Sequence, residues 1–174
     1  MGVQSSFGFT LGRMEKGKLN KITDVPGVRV GHVTRHEGGI NTGVTAILPH
    51  TGDMFHDKCP AASHVINGFG KSIGLVQVNE LGTIETPLLL TNTLSVGTAA
   101  TALVKYMLER NEDIGRDTGT VNPMVFECND GHLNDIRGLH VTEQNALDAL
   151  ANAADDFEEG AVGAGSGMSC YSLN

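Results

Sequence analysis

The sequence has no tryptophan, and aromatic residues make up only 5% of its 174 positions. Cysteine is scarce too: Cys59, Cys128 and Cys170 form an odd set with wide spacings and no CxxC pair. That pattern excludes a disulfide scaffold or a zinc knuckle and reads as small, semi-buried thiols in a reducing compartment. Basic residues are outnumbered 12 to 20 by acidic ones, giving a formal charge of −8. Such a balance argues against nucleic acid or an anionic membrane surface as the main partner. No apolar run approaches the ~20 residues needed to cross a bilayer. The start, MGVQSSFGFTLGR, lacks the charged and apolar regions of a signal peptide. A cytoplasmic location is therefore expected.

Glycine, by contrast, is abundant at 23 residues. So much glycine implies many tight turns, or backbone approaching closely to something else. The apolar fraction of 40% and the length fit one folded domain with a real core. We expect a polar, glycine-rich arm over residues 1–21 and an α/β domain over 22–174.

Local patterning divides that domain. Val28 to Val33 reads as a strand after the Pro26-Gly27 turn, and Gly43 to Leu48 as a second, stopped by Pro49. Residues 51–63 read as an irregular loop. Residues 64–92 alternate apolar segments with glycines. Within them Ile84 to Thr91 is strand-like, and Pro87 marks an edge or a bulge. Leu94 to Arg110 has a helical apolar face (Ala100, Leu103, Val104, Met107, Leu108), with Thr93 or Ser95 as its cap. Thr120 to Glu127 reads as a strand. Glu143 to Ala154 reads as a helix capped by Thr142. Short strands and frequent glycine breaks fit a mixed α/β sandwich better than a doubly wound sheet.

Several motifs fail on spacing. Gly70-Lys71-Ser72 ends like a phosphate loop, but the required upstream glycine is Val65. Gly163-Ala164-Gly165 opens like a dinucleotide fingerprint, yet the third glycine position holds Met168. That segment is either a packed turn or a nest of backbone N–H groups able to hold an oxyanion. Ser166 lacks the glycine spacing of a nucleophile elbow. The Asn- and Asp-rich run Asn129–Gly138 reads as Asx-turns, because the closing position of a calcium loop would be Val141. The seven histidines show no HExxH and no His–carboxylate cluster. They read as surface or satisfied polar residues, and no metal is expected.

Six blocks taken together are far more specific. They are ITDVPGVRVGHVT (22–34), TGVTAILPH (42–50), HVINGFGKSIGL (64–75), ELGTIETPLLLTNTLSVGT (80–98), ECNDGHLNDIRGLHVT (127–142) and EGAVGAGSGM (159–168). In this order they resemble the P1/DmpA-type aminopeptidases, the L-aminopeptidase/D-esterases, which include β-peptidyl aminopeptidases. The resemblance implies an αββα four-layer sandwich like that of N-terminal-nucleophile hydrolases, here incomplete. It implies a precursor that cleaves itself into α and β chains. The serine that begins the β chain is then the nucleophile, with its own α-amine as base. Short peptides, amides or esters are the implied substrates, homo-oligomers of αβ units the implied assembly. No metal or organic cofactor is implied. The family's nucleophile lies beyond the last block, so no catalytic residue is expected in this chain. The expected partner is the β chain of the same precursor. A catalytically inactive truncated homologue, acting as a binding or assembly module, is the alternative.

An aminopeptidase must hold a positive N-terminus, so Glu80 and Glu85 are candidate substrate-ammonium ligands. Asn92 is a candidate to hydrogen-bond the substrate backbone, and Asn129 a further candidate of that kind.

Overall fold

The computed structural model describes residues 12–170. The N-terminal arm expected over residues 1–21 lies in part outside the described residues. Strand β1 (Arg29–Glu37) and strand β2 (Ile40–Leu48) form an antiparallel hairpin. Gly38 and Gly39 close it, and Gly38 takes the left-handed φ of +57° that a two-residue hairpin turn demands. These strands run further toward one another than the β-branched residues alone suggest. Strand β3 (Cys59–Pro60), strand β4 (Ser72–Ile73), helix α1 (Leu75–Leu81) and strand β5 (Thr83–Ile84) follow. Then come strand β6 (Leu88–Thr91), helix α2 (Val96–Arg110), strand β7 (Met124–Glu127) and helix α3 (Glu143–Ala151).

The main sheet has five strands in the order β1-β2-β6-β7-β4. β6 and β7 are parallel, with Leu88 opposite Met124 and Thr91 opposite Glu127, and α2 makes the crossover between them. β3 and β5 form a separate two-stranded ribbon. One face of the sheet carries Val44, Ala46, Leu89 and Val125 into a core shared with Ala99, Leu103, Ala146, Ala149 and Leu150 of α2 and α3. Full burial of a side chain such as Leu89 or Leu103 contributes roughly 1.5–3 kcal/mol. On the opposite face Met124, Leu88 and Phe126 pack with Val78 of α1, Ile84 of β5 and Met54.

Glycine sets how closely the layers approach. A Cβ on Gly31 would collide with the carbonyl oxygen of Ala149, so α3 lies directly on β1. A Cβ on Gly43 would collide with the carbonyl of Gly163, on the turn at Gly163–Gly165. That turn is packed. Gly163 N–H donates to Thr34 Oγ1 at 2.8 Å and Ala164 N–H to Thr45 Oγ1 at 3.1 Å. Gly165 and Ser166 N–H groups bond to the carbonyls of Val162 and Gly163. The oxyanion-nest reading of this segment is set aside, since those donors are already used.

One element was not anticipated, one strand expectation is corrected, and one cap is refined. Residues 75–81 are helical, although their valines favour strands. Left-handed glycines, Gly74 and Gly82, bound the segment, and Gly82 N–H closes the last turn on Val78. The strand expected from Ile84 to Thr91 is split by Glu85–Pro87 into β5 and β6, which belong to different sheets. Ser95 holds the N-cap position of α2, as one of the two expected, but makes no side-chain cap bond; the side-chain cap is Asn92, whose Oδ1 accepts Ser95 N–H at 3.0 Å at the start of the 3-10 turn leading in. Thr142 caps α3 as expected, in a reciprocal box with Asn145. No helix among the described residues is long and apolar enough to cross a membrane.

Candidate functional site

A cavity of about 500 Å³ opens beside the C-terminal end of β7. Its floor is Leu88, Met124 and Phe126 from the sheet. Leu75 and Val78 of α1 form one wall, and the loop from Ala61 to Ser72 the other. The charged residues on its lining are Lys71 and Glu127, with His64 beside them. Glu127 ends β7 and is half-buried. Its Oε2 accepts the Lys71 backbone N–H at 2.8 Å, while its own N–H donates to the Lys71 carbonyl at 3.0 Å. The carboxylate is thus held at the mouth of a hollow whose floor is apolar and whose rim also carries His64, Asn67 and Lys71, an arrangement suited to a small cation with an apolar body.

None of the four expected substrate residues lines this cavity. Glu80 is exposed near the end of α1. Glu85 is only 4% exposed, and its carboxylate is taken up inside the chain. Lys58 Nζ donates to Oε2 at 2.5 Å and Asn122 N–H to Oε1 at 2.8 Å. Asn92 is 1% exposed, and besides capping Ser95 its Nδ2 donates to Thr42 Oγ1 at 3.0 Å. Asn129 is exposed and makes the expected Asx-turn, its Oδ1 accepting Gly131 N–H at 3.0 Å. Asn92 and Asn129 do follow adjacent parallel strands, tied by Cys128 N–H to the Thr91 carbonyl at 2.7 Å. Glu80 and Glu85 lie elsewhere. Glu127 was the residue missed. Its signal was its place as the last strand residue before the Asx-rich turn, opening the block ECNDGHLNDIRG.

Beneath Asn129 lies buried Asp130, whose oxygens make no well-formed hydrogen bond. Burial raises its carboxyl above the usual range, and the facing side chains of Thr42 and Asn134 offset this only in part. Cys128 is pushed up to about 11 by burial, then by Asp130 and Glu127.

The histidines are mostly satisfied polar groups. His32 bridges Thr45 Oγ1 at 2.9 Å and the Glu158 carbonyl at 3.1 Å, and burial lowers its pKa. The expectation of no His–carboxylate cluster is corrected by His56. It lies 2.5 Å from Asp53 Oδ2, three positions before it, and 2.9 Å from Asp113 Oδ2, which is distant in sequence and brought to it only by the fold. Among the described residues no group of three or more His, Cys, Asp or Glu is arranged to hold a metal ion.

A five-stranded sheet backed by helices on one face, with a cavity and a carboxylate at its mouth, defines a mixed α/β layered protein. The chain belongs to peptidase family S58, whose model matches residues 20–174. It is 38% identical to the β-peptidyl aminopeptidase BapA of Sphingosinicella microcystinivorans, over 89% of this chain and 40% of that protein. The PH0078 protein of Pyrococcus horikoshii OT3 superposes with a TM-score of 0.92 at 55% identity, covering 95% of this chain and 50% of that one. A β-aminopeptidase of a Burkholderia species gives 0.86 at 44% identity, covering 96% and 48%. The L-aminopeptidase D-Ala-esterase/amidase of Ochrobactrum anthropi gives 0.82 at 35% identity, covering 92% and 47%. That last protein is described as a prototype of the serine aminopeptidases and a variant of the Ntn hydrolase fold. This chain therefore has the DmpA-type α/β fold and spans about half the length of these relatives.

Proposed function

We propose that this chain is the substrate-binding part of a self-processing serine aminopeptidase. It would act on peptides, amides or esters with a free N-terminus, β-amino acids included. The observation that carries the reading is Glu127, a carboxylate fixed at the mouth of a cavity with an apolar floor. There it would pair with the ammonium of the first residue. The nucleophile in this reading is the N-terminal serine of a second polypeptide. Its hydroxyl attacks the scissile carbonyl, its own α-amine takes the proton and returns it to the leaving amine, and water then hydrolyses the acyl–enzyme. No metal or organic cofactor takes part.

The sheet favours such a partner. Ile47 and Leu90, on the face away from α2 and α3 and outside the cavity, are only half-buried. A second sheet laid on them would complete the sandwich and cover an aggregation-prone surface. Homo-oligomers of the resulting two-chain units, in the cytoplasm, are part of the same proposal.

Aminoacyl-p-nitroanilide assays test the reading directly. The 174-residue chain alone should give no turnover, and addition of a serine-initiated second polypeptide should restore it. Robust turnover by the isolated chain would refute a nucleophile supplied from outside. In the two-chain enzyme, Glu127→Gln should raise KM about tenfold or more for substrates with a free amine, the loss of one charge-assisted contact.

A further inference from the structure

We propose that a second cavity, on the helical side of the sheet, binds a small monocarboxylate with an apolar body. Arg110 takes the carboxylate, and Leu48, Met54, Pro87 and Met107 take the body. The cavity holds about 330 Å³, a size usual for small-molecule sites. It lies between the last turn of α2 and the loop that follows β2. Leu48 and Tyr106 also pack against the core under α2 and α3, so the cavity belongs to the helical layer. The face proposed to carry a second sheet is the other one. Pro87 brings the cavity to the start of β6, whereas Glu127 lies opposite Thr91 at the end of that strand. The length of β6 separates the two places by ~10 Å. The proposal therefore owes nothing to the role of Glu127.

The polar groups of the lining decide the chemistry of the ligand. His50 is engaged within its own loop: Nδ1 accepts the Gly52 N–H at 3.0 Å and Nε2 donates to the Asp57 carbonyl at 2.9 Å. Asp53 is engaged too, with His56 at 2.5 Å and the Phe55 N–H at 3.1 Å. The Asn111 amide donates to the Met107 carbonyl at 3.2 Å. Arg110 is different. Its Nη1 donates to the Tyr106 carbonyl at 3.2 Å, and its guanidinium carbon lies 3.5 Å from the centre of the Tyr106 ring. No carboxylate among the described residues pairs with it. Stacking on the ring restrains the guanidinium, and its remaining N–H groups offer the planar fork that a carboxylate accepts. The last carbonyls of α2 and the Asp53 carboxylate add negative potential nearby, so one negative charge fits better than the two of a phosphate. An ammonium finds its acid already held by His56. The apolar walls need a body to displace their water, and Met54 and Met107 adapt to more than one shape.

Calorimetric titration of the 174-residue chain with phenylacetate, phenylacetamide and inorganic phosphate tests this. Phenylacetate should bind about tenfold or more tightly than the amide, which keeps the body and lacks the charge. It should also bind more tightly than phosphate, which has the charge and lacks the body. Arg110→Gln, at the exposed end of α2, should erase the preference for the acid, and Arg110→Lys should retain only part of it, because a lysine has no fork. In the unaltered chain, phenylacetate should protect Arg110 from phenylglyoxal, read by peptide mass mapping. Equal binding of phenylacetate and phenylacetamide would overturn the ion pair. Phosphate binding as tight as phenylacetate would overturn the apolar body. A preference that survives Arg110→Gln, or an Arg110 left unprotected, would overturn the placement, and no binding of any of the three would overturn the site. The same titration of the two-chain enzyme should give an unchanged affinity, and loss of binding there would overturn the assignment to the side away from the second sheet.

Discussion

At the scale of single residues, several charged or polar groups are spent on the fold. Glu85 is the clearest case. A buried carboxylate needs partners, and Lys58 and the Asn122 N–H provide them. Lys58→Met should lower unfolding stability by about 1–3 kcal/mol in urea titrations, because it leaves that carboxylate short of a donor. His56 gives a pH signature. Hydrogen bonds donated to Asp53 and Asp113 raise its pKa, and His56 in turn lowers Asp113. Asp53 is also lowered: the opposing effect of its slight burial is outweighed by His56 and the Phe55 N–H. A folded-state pKa raised above 6.5 means that the stabilisation is fully present below pH 6.5. It is lost as pH rises through the raised value. His56→Ala should therefore lower Tm more at pH 6 than at pH 9, and equal losses would exclude a charged clamp. Cys128, with a thiol pushed up to about 11, should resist alkylation at pH 8 in the native protein. These pairings were not legible in the sequence, because Asp113 and His56 are 57 positions apart and meet only through the fold. What was legible was the type of burden: a carboxylate in the apolar run around Glu85 had to be paired or exposed.

At the scale of elements, legibility followed periodicity. α2 and α3 were readable because their apolar residues recur on one face, and Thr142 announced the start of α3. Thr142→Ala should cost about 1 kcal/mol, read from thermal unfolding, by removing the Asn145 N–H acceptor. α1 was not readable. It is seven residues long and bounded by glycines, and its identity comes from packing of Val78 against Met54, Ile84 and Met124. Pro87 correctly signalled a disruption, though the consequence is a change of sheet more than an edge or bulge. The Gly38-Gly39 pair was a hairpin signal that valine-rich patterning overshadowed. At Gly31 the need is for space: Gly31→Ala should destabilise by about 1–3 kcal/mol, since the added methyl meets the backbone of α3.

At the scale of the molecule, block order identified the family where single motifs failed. Six blocks in one order constrain far more than any four-residue pattern. Yet the candidate ligands chosen from that resemblance, Glu80, Glu85, Asn92 and Asn129, do not converge on the cavity, whereas Glu127 lies at its mouth. Chemistry alone named the residue type, and only the fold could say which carboxylate faces open space. The half-covered sheet face has a solution consequence: the isolated 174-residue chain should self-associate, and a stable monomer in size-exclusion chromatography would contradict the proposed partner surface.

The two glycine contacts on the hairpin bear on the order of events during synthesis. β1 and β2 leave the ribosome early, but their inner face is closed by α3 and their outer face by the turn at Gly163–Gly165. These strands are therefore made well before the elements that shield them. Until about residue 165 has emerged, the hairpin can only wait, and a stalled or shortened nascent chain would expose it on both sides.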